Sequence, residues 1–187
     1  MTTFHPLTPE RWPDLEKLFG PRGACAGCWC MYWRLLRQQF SAQQGEPNRE
    51  GLKSLVDSGS IPGLLAYSAD APIGWCAIAP RTEFPVLARS RILKPVDDQP
   101  VWSVVCFFVS RAHRRQGLTV QLLKAAIDYA ASCGARIVEG YPVDPRHGKS
   151  PDVFVYTGLY SAFKQAGFTE EARRSETRPI MRLIIPQ

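Results

Sequence analysis

The segment Val109-Ser110-Arg111-Ala112-His113-Arg114-Arg115-Gln116-Gly117-Leu118-Thr119-Val120-Gln121-Leu122-Leu123 decides how this chain folds. Upstream of it, Val101 to Val109 is an almost unbroken run of β-branched and aromatic residues, which predicts a buried central strand. Downstream, Leu118, Leu122, Ala126 and Tyr129 recur at helical spacing, as do Leu123, Ile127 and Ala130. They predict a helix from about Leu118 to Cys133, with Gly134 just past its end. A short basic turn closed by Gly117 joins strand to helix. The first N–H groups of a helix have no internal partners, and the helix dipole adds positive potential there. The turn is therefore an anion site suited to a phosphate or diphosphate. Gly117 has no Cβ to keep an anion from the main chain. Arg114 and Arg115 can add charge-assisted contacts.

Working outward, Thr3 to Leu7 predicts a first strand. Thr8 is placed to cap a helix with Pro9 at its first position, running to Phe19 and stopping at Gly20-Pro21. After a Gly- and Cys-rich loop, Trp29 to Phe40 reads as a second helix, and Asn48 as the cap of a third that reaches Asp57. Leu64 to Tyr67 and Ile73 to Ala79 read as strands around the turn from Ser68 to Pro72. Pro80 to Pro100 is a long proline-bearing connection without a clear period. Beyond the central helix, Arg136 to Val143 is a strand and Leu159 to Ala166 a helix ended by Gly167. Phe168 to Arg173 and Ile180 to Ile185 close the pattern as strands. Strands alternating with helices imply an α/β fold, a mixed sheet with crossover helices.

At 187 residues and 45% hydrophobic content, the chain fits one domain, 1–187, with a full core. No apolar run approaches the roughly 20 residues that span a bilayer, so no membrane partner is expected. The start, Met1 to Pro6, has no basic stretch followed by an apolar one, and a cytoplasmic location is expected. The net charge of +6 favours anionic partners. Nucleic acid is not expected among them. The basic residues are scattered, and the dense group Arg111, Arg114 and Arg115 lacks interleaved aromatics.

The segment from Arg114 resembles the acetyl-CoA motif of the GNAT acetyltransferase superfamily. That motif is Arg or Gln, two residues, Gly, one residue, then Gly or Ala. Arg114, Gly117 and Thr119 fill those positions, and Thr119 departs from the pattern while keeping its backbone N–H. Cys106-Phe107-Phe108-Val109 sits where the family's fourth strand accepts the pantetheine arm. The stretch from Tyr160 to Phe168 looks like the family's later helix ending in Gly-Phe. The similarity is good from about Val101 to Phe168 and weak before Leu64.

The resemblance implies a GNAT-like fold, a central mixed sheet of about six to seven strands flanked by helices. It implies acetyl-CoA as co-substrate and no metal. The coenzyme would lie on Phe107, Phe108, Val109, Arg114, Arg115, Gln116, Gly117, Leu118, Thr119 and Val120. The acetyl group would pass directly to an amine in a ternary complex, a small-molecule acceptor being expected rather than a protein. Homodimerisation stays open.

The proton-carrying groups depart from the family. Many relatives have a tyrosine four residues before the glycine of Gly-Phe, and here that position is Phe163. Tyr160, three residues earlier on nearly the same helix face, is the substitute candidate, with simple packing as the alternative. Many relatives carry a glutamate on strand four, but Trp102 to Val109 contains no carboxylate. Glu139 on the next strand is the candidate base, against a hydrogen-bonded structural role or a water chain in its place. These departures motivate a second reading, a CoA-binding sensor or pseudoenzyme.

Cys25-Ala26-Gly27-Cys28-Trp29-Cys30-Met31-Tyr32-Trp33-Arg34 is the most unusual stretch and is similar to Cys-Trp-Cys-Met-x-Trp-Arg openings of bacterial GNAT proteins. Three local thiols fall short of the four ligands of a structural zinc site, and packing thiols fit better. Cys76, Cys106 and Cys133 lie in apolar runs and read as small buried hydrophobes. In the family the first helices wall the acceptor pocket. Trp29, Tyr32 and Trp33 are candidates to line it, and Arg34 to pair with an acceptor carboxylate, the alternative being a helix face packed on the sheet. The loop Asp144 to Asp152 is a candidate cover.

Overall fold

A computed structural model describes residues 1–145 and 154–186. Among these residues seven strands form one sheet: β1 (Thr2–Pro6), β2 (Gly63–Ser68), β3 (Ala71–Pro80), β4 (Trp102–Val109), β5 (Ile137–Gly140), β6 (Thr169–Arg173) and β7 (Pro179–Ile184). Their order is β1-β2-β3-β4-β5-β7-β6, mixed α/β as expected. Neighbours pair antiparallel except β4 and β5, which run parallel. A parallel pair needs a crossover, and α5 (Leu118–Ser132) supplies it.

The inner strands β2 to β5 are largely buried on both sides, which explains their nearly continuous apolar runs, whereas the edge strands β1 and β6 are more exposed. On one face α5 and α6 (Tyr160–Gln165) pack through Leu122, Ala126 and Phe163 against Val104, Phe107 and Val138. On the other, α1 (Trp12–Phe19) and residues 29–36 pack through Phe19, Trp29 and Trp33 with Trp75, Val105 and Phe108. The helices α2 (Arg37–Ala42), α3 (Glu46–Asp57) and α4 (Pro85–Arg89) also lie along the chain between β1 and β4. No described helix is long and apolar enough to cross a membrane.

One irregularity positions the site. Ala77 of β3 pairs with Cys106, yet Ile78 pairs with Val104, so Val105 is an extra residue in β4. A bulge bends its strand. The pairing of β4 with β5 ends at Val104 and Gly140, after three residue pairs. Beyond that point the two strands part.

Several expectations need correction. Trp29 to Phe40 is not one helix: regular helix starts only at Arg37. Trp29 and Cys30 adopt positive φ, 40° and 51°. Tertiary contacts override helix propensity here. Trp29 stacks on Trp12 at 6.1 Å, and the Trp75 indole N–H donates to the Cys30 sulfur at 3.0 Å. Pro9 to Arg11 is a 3-10 turn ahead of α1, and the Thr8 side chain caps neither. Asn48 is no cap either. It is fully buried inside α3, and its amide donates to the Gly27 carbonyl at 3.2 Å, tying α3 to the Cys-rich loop. Cys76 is buried, but Cys106 is half-buried, and Cys133, on the last turn before Gly134, is exposed.

Candidate active site

The basic turn after β4 is built by its own hydrogen bonds. Ser110 N–H donates to Ile73 O at 2.9 Å, which fixes the strand end. Arg114 Nε donates to Val109 O at 3.1 Å, and the Gln116 amide to Ala112 O at 2.9 Å. Arg115 at φ 60° and Gly117 at φ 76° then turn the chain into α5. The left-handed angle suits glycine, and a Cβ at Gly117 would meet nothing within 4 Å. No side chain caps the α5 N-terminus. Arg114, Arg115 and Gln116 are exposed around it, Leu118 is buried, and Thr119 and Val120 are half-buried. The turn thus presents an α5 start without a side-chain cap, flanked by exposed arginines.

The strand residues divide between faces. Phe107 packs on α6 through Phe163, and Val109 lies on the same face. Phe108 points the other way, edge-on to Phe19 at 5.5 Å. Where β4 leaves β5, the segment before α6 enters the gap. Phe107 N–H donates to Tyr156 O at 2.6 Å, and Val143 bridges Leu159.

Across the α1 face of this gap lies a cleft of about 500 Å³. Tyr32, Trp33 and Tyr156 line it with Arg37, Arg89 and Arg178. Burial, and then Tyr32 beside it, push the Tyr156 phenol above its ordinary range, so it stays protonated at neutral pH. Arg178 donates to Thr157 at 2.9 Å, holding this stretch against the β6–β7 connection.

Of the acceptor-side candidates, only Trp33 and Tyr32 reach the cleft. Trp29 is core, stacked on Trp12 and tilted against Phe19 at 5.7 Å. Arg34 is not among the lining residues; it pairs with Glu83 at 2.5 Å and lies over the Phe84 ring.

Glu139 is fully buried in a charge network. Arg81 approaches one carboxylate oxygen at 2.5 Å, where the Tyr141 hydroxyl also donates at 2.6 Å, and Arg182 Nε donates to the other at 2.7 Å. Arg182 also binds Asp97. Tyr160 lies beneath the Arg173 guanidinium at 5.6 Å, packed on the α5 face. Neither lines the cleft. Phe163 is fully buried; a Cβ on Gly140 would collide with its ring.

The cysteines cluster without forming a described metal site. Cys30 lies 3.6 Å from Cys106, and Cys28 donates to Gly23 O. The cover expected over Asp144 to Asp152 falls mostly on residues outside those described.

Residues 29–146 match the model of the acetyltransferase (GNAT) family. The chain belongs to the GNAT acetyltransferases.

No curated protein matches this GNAT chain. Among solved structures it is similar to PaiA N-acetyltransferase from Thermoplasma acidophilum in complex with coenzyme A. The two share 14% identity and a TM-score of 0.55, with 99% of each chain covered. A GNAT-family acetyltransferase from Listeria monocytogenes gives TM-score 0.59 at 11% identity, covering 98% of this chain and 95% of that one. YncA from Salmonella typhimurium, with its cofactor acetyl-CoA, gives 0.52 at 14%, covering 100% and 95%. The structural likeness shows the shared fold.

Sequence reasoning missed Tyr156, Arg37, Arg89 and Arg178. All reach the cleft through long-range packing, and no periodicity marks them.

Proposed function

We propose that this GNAT acetyltransferase moves the acetyl group of acetyl-CoA directly onto the nitrogen of a small amine. The observation that carries the reading is the uncapped start of α5 at Gly117, set beside the gap between β4 and β5. Its main-chain donors, with Arg114 and Arg115 around them, fit a diphosphate. Phe107 N–H, on the free edge of β4, fits an amide of the pantetheine arm in place of Tyr156 O. The coenzyme supplies the activated acyl group as a thioester. That the neighbours from Thermoplasma and Salmonella hold coenzyme A and acetyl-CoA supports this fit.

The chain's own residues then do three things. The cleft orients the amine toward β4, which contributes by proximity. Main-chain N–H groups of the bulged strand stabilise negative charge developing on the carbonyl oxygen. Tyr156, held protonated, gives its proton to the leaving sulfur, and water takes up the proton of the amine. The proton roles expected of Tyr160 and Glu139 pass in this reading to Tyr156 and water. Glu139 instead locks β5 to β7 and to Arg81.

The test combines acetyl-CoA titration with release of free thiol across a panel of amines. Binding with amine-dependent thiol release is expected. Binding with no release under any amine would favour the coenzyme-sensor reading, which the phenylalanine at position 163 motivates.

A further inference from the structure

We infer that the acceptor is an amine carrying a carboxylate on an apolar body, the chemistry of a free apolar amino acid. The inference rests on reading the cleft beside Tyr156 as the acceptor side. Among the described residues, three guanidiniums, Arg37, Arg89 and Arg178, line that cleft, and no carboxylate does. Arg37 and Arg89 have no ion pair or hydrogen bond among the described residues. The nearby acids are engaged elsewhere: Glu83 with Arg34, and Asp144 with Arg173.

A second observation is independent of charge. Trp33 is 7% exposed, and its indole N–H is buried without a partner among the described residues. A buried donor left unpaired costs about 1–3 kcal/mol. The described wall of the cleft is therefore rich in cationic donors, chiefly the guanidiniums of Arg37, Arg89 and Arg178. Between the arginines lie Leu36, Val86 and Ile92, so the rest of the ligand is apolar.

The same charges bear on reactivity. An amine must lose its proton before it attacks. Positive neighbours disfavour the ammonium form and lower the amine's pKa. A carboxylate on the ligand then pairs with guanidinium, while the nitrogen is kept neutral. Polyamines and lysine side chains lack that compensation and meet repulsion. In the transfer, the C–N bond forms and the C–S bond of acetyl-CoA breaks. The amine loses one proton to water, and the sulfur gains one from Tyr156, which water restores. The products are the N-acetyl amino acid and free coenzyme A.

Thiol release from acetyl-CoA with L-leucine, L-phenylalanine, their amides, 2-aminoethyl phosphate and spermidine tests the inference. The free acids should exceed their amides in kcat/KM by about tenfold or more, in keeping with charge-assisted bonds. Arg37→Gln combined with Arg89→Gln should shrink that ratio, with melting temperature checking the fold. It should also move the acid limb of kcat to higher pH, because removing positive charge lets the bound amine keep its proton longer. Equal turnover of acids and amides, or a preference for spermidine, overturns the inference while leaving acetyl transfer intact. A preference for 2-aminoethyl phosphate overturns the carboxylate assignment. Failure to bind acetyl-CoA overturns the underlying acetyltransferase reading, and the inference falls with it.

Discussion

The main-chain N–H of Phe107 donates to the carbonyl oxygen of Tyr156 across 2.6 Å, so the free edge of β4 is bridged by the protein's own chain. In the proposed reading a pantetheine amide competes with Tyr156 for that one donor. Acetyl-CoA should therefore shift the Phe107 amide resonance strongly in a titration followed by NMR. A Phe107 amide that does not respond to saturating acetyl-CoA places the arm elsewhere.

Tyr156→Phe should lower kcat by about 10²-fold, the usual range for a lost general acid, with the KM for acetyl-CoA little changed. Burial raises the pKa of this phenol. An acid whose pKa is raised keeps its proton until the pH passes the raised value. The wild-type kcat should then show no alkaline fall through pH 9 from this group.

At Gly117 two substitutions separate strain from charge. Gly117→Ala keeps the space open but forces an L side chain to φ 76°, costing about 1–2 kcal/mol of stability. Gly117→Asp adds a carboxylate where an anion should lie. It should weaken acetyl-CoA binding about tenfold beyond the alanine variant in calorimetric titration. Equal affinities would remove the diphosphate from this turn.

Glu139→Gln should act on stability first. It leaves Arg81 and Arg182, 13% and 7% exposed as side chains, without their shared counter-charge. Breaking a buried pair from one side costs about 3–5 kcal/mol, readable in denaturant unfolding. The nearby Asp97 carboxyl is held below its usual range, first by the hydrogen bonds from Arg182. Its contribution is present above the ordinary carboxylate pKa and is lost on acidification through the lowered one.

Phe163→Tyr, which restores the family's usual residue, should not restore an acid. The ring is fully buried against Phe168 at 4.9 Å and Phe107 at 6.2 Å. The new hydroxyl would be desolvated, at a cost of about 1–3 kcal/mol without a partner. A lower melting temperature with no gain in turnover is expected.

Thiol chemistry should follow burial. Cys25 and Cys133 are exposed and should alkylate with iodoacetamide first. Burial, with Cys30 adding to it, pushes the Cys28 thiol up to about 11. Its reaction should accelerate about tenfold per pH unit up to that value, because only the thiolate reacts.

The parts of the fold visible in sequence are those whose signal is local. The Val101 to Val109 run, the α5 period and the Gly117 turn each carry their own pattern, and the structure reproduces them within a residue or two. Residues 29–36 misled because their apolar side chains dock on Trp12 and Trp75 rather than along one helix face. Glu139 invited a catalytic reading because its charged partners, Arg81 and Arg182, are distant in sequence. Arg182 lies directly across the β5–β7 ladder, a register that a single sequence does not reveal. The cleft was hidden for the same reason. Its arginines come from three separate connections.

Those connections have an evolutionary consequence. The turn at Gly117 is anchored in the sheet and in α5, whereas Arg37, Arg89 and Arg178 sit at or beyond the ends of regular elements. Segments of that kind tolerate replacement and insertion far better than strands do. In the proposed reading, acceptor preference in this scaffold can therefore drift by exchanging residues of these connections while the turn at Gly117 stays as it is.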